Sequence, residues 1–172
     1  MSLKLGDIDL KSNDPCINIK STVTRYKNEK NKEKISYKIG ETKTKFSKRS
    51  IPINNELKKL LENYLEEYKN KFKLNDKELK QCFLIPNKNP KEFISPNKLD
   101  YYFRKLKKEC KLDENIHFHS LRHTFVTKCI VDKNIPLSIV KYIVGHSTST
   151  SITIDTYTHI DQNVINKYRN KL

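Results

Sequence analysis

The sequence predicts an α+β fold: a mainly α-helical domain with a small antiparallel three-stranded sheet near the N-terminus. Three observations point there. Residues 1–53 hold short runs with partial period-two alternation and many β-branched side chains. From Asn54 onward the apolar residues recur at helical spacing instead. With 172 residues and no internal repeat, the chain can bury one sizeable core, so a single domain over residues 1–172 is expected.

The strand candidates are residues 7–10, 16–20, 22–26, 35–39 and 49–53, with the charged stretch 27–34 as a turn or loop. Leu57, Leu60, Leu61, Tyr64, Leu65 and Tyr68 then form a helical stripe behind an Asn54 cap, which makes both tyrosines core or groove-lining residues. Residues 82–85 are a short apolar run closed by Pro86. Ser95-Pro96 opens a further helix, with Leu99, Tyr102, Phe103, Leu106 and Cys110 on one side and Arg104, Lys105, Lys107 and Lys108 on the outer side. Ser120 is an N-cap candidate ahead of Leu121, Phe125, Val126, Cys129 and Ile130, which places His119 and Arg122 at a helix start. Pro136 suits a first helical turn and Gly145 a C-terminal stop. The Ser/Thr run over 147–153 reads as a loop, and Val164, Ile165 and Tyr168 recur at helical spacing in the last segment.

The formal net charge of +15 calls for a polyanionic partner. Lysine dominates the 35 basic residues and alanine is absent, as in AT-rich coding. That bias also favours Asp and Glu, so it does not account for the imbalance. Nucleic acid is the polyanion expected from this charge. No apolar run approaches the ~20 residues of a membrane span, and no signal-peptide pattern is present, so the bacterial cytoplasm is the expected compartment. Cys16, Cys82, Cys110 and Cys129 show no CxxC spacing and read as buried free thiols in a reducing cytosol.

All 5 histidines fall between residues 117 and 159. Three pieces stand out there: His119-Ser-Leu-Arg122-His123, Val144-Gly-His146-Ser, and Asp155-Thr-Tyr157-Thr-His159. A guanidinium can fork onto the non-bridging oxygens of a phosphodiester, which lysine cannot copy. Imidazoles near neutrality donate hydrogen bonds or move protons, and a phenol can attack phosphorus. Together they form a set able to hold a phosphodiester and attack it.

These pieces, HSLRHTFVT, VGHS and TIDTYTHI, resemble the catalytic signature of the tyrosine recombinases, the phage-type integrase family. The resemblance implies Tyr157 as nucleophile, Arg122, His119 and His146 as phosphate-activating groups, and a 3′-phosphotyrosyl intermediate formed without metal or cofactor. Thr42-Lys43-Thr44 followed by Arg49-Ser-Ile-Pro52 is similar to the family hairpin that carries a catalytic lysine, which implies Lys43, with Lys45 as its fallback. Leu3-Lys4 with Asp7-Ile-Asp9 resembles the element that follows the family's first catalytic arginine. That arginine and the DNA-clamping domain are accordingly expected upstream of Met1, leaving a catalytic fragment inactive and monomeric alone. The full-length protein is expected as a tetramer on paired DNA sites, in integration or another DNA recombination reaction of a mobile element.

Duller readings stand beside these. His123 orients the site rather than reacting, and His159 packs. The basic outer face with Arg104, Lys105 and Lys108 is either a solvated surface or, with Lys45, a DNA-backbone contact. A metal-dependent hydrolase could use the i, i+4 imidazoles, but Asp113, Glu114, Asp132, Asp155 and Asp161 complete no ligand motif. A DNA-binding module without catalysis is the remaining alternative.

Overall fold

The computed structural model describes residues 2–27, 35–41, 48–145 and 161–172. Strands β1 (Ile8–Asp9), β2 (Cys16–Ile19) and β5 (Arg49–Pro52) form the expected three-stranded antiparallel sheet, in the order β1-β2-β5. Strands β3 (Ser21–Lys27) and β4 (Ile35–Glu41) pair with each other as a separate two-stranded antiparallel ribbon. The register β2–β5 sets Ile19 opposite Arg49 and Cys16 opposite Pro52. Pro52 cannot extend the ladder as a donor, and the next amide, Ile53, bonds the Pro15 carbonyl at 2.9 Å.

Asn54 caps α1 (Asn55–Phe72) as its residue type dictates, its side-chain oxygen accepting from the Leu57 amide at 2.8 Å. Tyr68 and Leu61 are buried from the expected stripe, whereas Leu60 is 60% exposed. Tyr64 and Tyr68 are core residues with an edge-on ring contact of 5.7 Å. Their hydroxyls donate to the carbonyls of Leu84 (2.6 Å) and Phe83 (3.0 Å). The apolar run 82–85 is therefore not a strand of the sheet. A bridge ties its Phe83 to Lys4, and Leu5 donates to the Cys82 carbonyl at 2.8 Å, closing a first core of Leu5, Tyr68 and Cys82.

A short helix α2 (Asp76–Leu79) follows, then α3 (Pro96–Glu109), capped by Ser95 with Pro96 in its first turn. The apolar side expected of α3 is largely uncovered: Tyr102 is 48% exposed, Leu106 50%, and Cys110 is exposed. Phe103 does pack, stacking on Phe118 with centroids 4.2 Å apart. Lys107, assigned to the outer face, is buried instead. Its ammonium lies 6.0 Å from the Phe103 ring and donates to the Glu114 carbonyl, so the stem covers apolar surface while the head finds an acceptor. The four thiols are free, but only Cys82 and Cys129 are buried; Cys16 is half-buried.

The second core sits under α4 (Phe118–Thr127), α5 (Leu137–Val144) and α6 (Gln162–Asn166). Between α4 and α5 the chain makes a π-helical turn, Lys128–Asp132, which buries Cys129. Cys129, Ile135, Ile139, Val140, Ile143 and Ile165 form the buried cluster, with Ile51 of β5 packed against it. Full burial of a side chain such as Ile165 stabilises by roughly 1.5–3 kcal/mol. Among the described residues no helix is long and apolar enough to cross a membrane.

Candidate functional site

Helix α4 begins earlier than its sequence suggests. The N-cap is His117 in an extended conformation, and Ser120 lies inside the first turn, where its hydroxyl accepts from the His117 amide at 3.2 Å. The serine completes the cap from the helical side. His119 therefore occupies the first turn, while Arg122 is the fifth helical residue and lies beyond the free amides expected to surround it.

The helical period sets His119, Arg122 and His123 on one face. The imidazoles of His119 and His123 meet edge-on at 90°, centroids 4.5 Å apart. Both are exposed, and Arg122 is half-buried beside them. Among the described residues no group of three or more His, Cys, Asp or Glu side chains could hold a metal ion.

Pro136 does not enter the first turn of α5; it stands one residue outside, and its carbonyl accepts from the Val140 amide at 3.1 Å. Gly145 ends the helix with φ +65° and ψ +46°, the left-handed conformation its lack of a β-carbon permits. Between α4 and α5 lies a cleft of about 170 Å³, lined by His119, Arg122, His123, Val126, Leu137, Val140, Lys141 and Val144. Val126 and Val140 join it to the core below, so its polar rim rests on packed apolar side chains.

Two cations of this region were not among the expected site residues, although Arg49 opens the Arg49-Ser-Ile-Pro52 motif. Lys141 lines the cleft directly. Arg49 approaches from β5, its Nε donating to the Ile143 carbonyl at 2.9 Å. Burial first, and the nearby Arg122 second, hold the Arg49 pKa below its ordinary value. It remains charged at any working pH, since arginine is not deprotonated in proteins. Arg49 was legible as a strand residue, but nothing in the spacing pointed to a helix 94 positions away.

Lys43, Lys45, His146, Tyr157 and His159 lie outside the described residues. His146 directly follows Gly145 in sequence, and Tyr157 precedes Asp161 by four positions. Asp161 caps α6, and the Gln162 side chain donates to the Ser50 carbonyl of β5 at 3.5 Å. Arg104, Lys105 and Lys108 are exposed on α3. Lys105 has an acidic neighbour one turn on, 3.9 Å from Glu109.

This chain is 28% identical over 119 residues to a tyrosine recombinase of Pseudothermotoga lettingae, a match covering 65% of this chain and 34% of that protein. It is 44% identical over 43 residues to a tyrosine recombinase XerC-like protein of Caldanaerobacter subterraneus subsp. tengcongensis, covering 25% of this chain and 10% of that one. The chain thus spans about a third of the length of the first relative. No solved structure matches it. The phage integrase family matches over residues 1–163, nearly the whole of the sequence, and the chain belongs to that family.

Proposed function

We propose that residues 1–172 are the catalytic domain of a site-specific DNA recombinase that breaks and rejoins strands through a 3′-phosphotyrosyl intermediate. The observation that supports this best is the α4/α5 cleft, where His119 and Arg122 share one rim next to the helix end that leads into His146. A phosphodiester gathers negative charge on its non-bridging oxygens in the transition state, and fixed donors must stabilise it. Arg122 supplies a forked donor, and His119 and His146 donate hydrogen bonds or carry the phenol proton.

The Tyr157 hydroxyl attacks phosphorus and loses its proton. The P–O bond to the 5′ oxygen breaks, and Lys43 protonates that oxygen as it leaves. The phosphotyrosyl ester keeps the bond energy, so the 5′ hydroxyl of another strand can attack it and release Tyr157. No metal or cofactor takes part in these steps. The substrate is double-stranded DNA, bound through the net positive charge with Arg104, Lys105, Lys108 and Lys45 on its backbone. The active assembly is a tetramer on paired sites.

The test uses the intact gene product and a nicked duplex that traps the covalent adduct. Arg122→Lys keeps the charge and loses the fork. It should slow adduct formation by about 100- to 1,000-fold, the usual effect of removing one such donor. An unchanged rate would remove Arg122 from the site.

A further inference from the structure

We propose that Arg49 is a positioning residue of this site, clipping the last turn of α5 to β5 and setting a second fixed cation beside Arg122. The catalytic half of this proposal rests on the recombinase function proposed for the chain; the structural half does not.

The side chain is anchored at both ends. Its backbone opens β5, paired with Ile19 of β2, so the sheet fixes where it starts. At its tip, Nε donates to the Ile143 carbonyl at 2.9 Å. That carbonyl is among the last four of α5, which have no amide ahead of them within the helix. A guanidinium makes a charge-assisted bond there, stronger than a neutral donor would give.

The rest of the guanidinium lies against Gly145. A β-carbon at that position would stand 2.6 Å from Cζ and Nη1 of Arg49, and 2.8 Å from Nη2. Gly145 is thus required twice, for its φ of +65° and for the flat group that covers it. The helix end that leads into His146 is gripped from the sheet, and the same contact keeps α5 facing Arg122 across the cleft.

The bland alternative is a helix cap with no bearing on chemistry. A cap alone is favoured by a charge at the helix C-terminus but gains nothing from setting that charge near another guanidinium, where both burial and Arg122 oppose protonation. Arg49 does not line the cleft, but its charge acts on Arg122, so a phosphate held by Arg122 would feel both cations, fixed before it arrives. Lysine could supply the charge but not the planar group that stacks on Gly145 while bonding Ile143.

The experiment compares wild type, Arg49→Lys and Arg49→Gln in the intact gene product. Amide hydrogen exchange is followed at Val144 and Gly145 relative to α1, together with adduct formation at saturating nicked duplex. Both variants should speed exchange at 144–145 by at least about tenfold, as expected for loss of a bond to a charged donor, and leave α1 unchanged. Both should slow adduct formation by at least ~30-fold, with lysine within about twofold of glutamine, and with DNA affinity held within ~3-fold. Unchanged exchange in both variants, or a lysine variant at nearly the wild-type rate, would overturn the proposal. If the wild type forms no adduct, the recombinase function fails, and exchange at 144–145 still decides whether Arg49 holds the end of α5.

Discussion

A β-carbon on Gly145 would lie 2.6 Å from the Arg49 guanidinium carbon, so these two residues, 96 positions apart, fit only because one has no side chain. The left-handed φ of +65° adds a second objection to any substitution. Gly145→Ala should therefore cost about 1–3 kcal/mol of stability, the range for a non-glycine residue held in that conformation. Part of the cost comes from displacing Arg49, so it should shrink in an Arg49→Gln background. A double-mutant cycle by denaturant unfolding measures that coupling, and strict additivity would show that the two residues do not meet.

The C-terminal helix should carry stability out of proportion to its length. Ile165 is fully buried in the core beneath the cleft, while its neighbour Val164 is 39% exposed. Ile165→Ala should cost about 2–5 kcal/mol, and Val164→Ala well under half of that. Thermal and denaturant unfolding of the 172-residue chain provide the comparison. Equal small losses would mean that α6 is not packed as described.

DNA binding should be electrostatic. With a formal charge of +15, affinity for an arbitrary duplex should fall by at least ~10-fold between about 50 and 200 mM salt, as each released counterion steepens the dependence. Replacing Arg104 or Lys108 by glutamine should flatten the log–log slope by about 0.9 for each phosphate that is no longer neutralised. Lys105 should matter less, because Glu109 already neutralises part of its field. Fluorescence anisotropy at several salt concentrations measures this, and a slope unchanged in all three variants would assign α3 to solvent.

What the sequence disclosed follows from which forces are local. The Asn54 cap, the Gly145 stop and the three-stranded sheet rest on residue types acting within a turn or a strand, and each formed where expected. The errors arose where tertiary partners decide. Ser120 looked like a cap because it precedes apolar residues, yet the extended backbone of His117 made it the cap's internal partner. Lys107 looked like a surface cation, but Phe103 and the Glu114 carbonyl drew it inward. The imidazole–guanidinium face of α4 was legible from spacing alone. Arg49 and Lys141 were not, because a strand and a second helix bring them to that face.

The proposed recombinase chemistry requires the Tyr157 hydroxyl to attack the DNA phosphate. A nicked suicide duplex incubated with the intact gene product, followed by denaturing electrophoresis, reveals whether that attack occurs. Wild type should give a covalent protein–DNA band. Tyr157→Phe, which loses only the hydroxyl, should bind the duplex with unchanged affinity and give no band. A covalent band of wild-type intensity from Tyr157→Phe would exclude Tyr157 as the nucleophile and move that role to another tyrosine, Tyr142 or Tyr168.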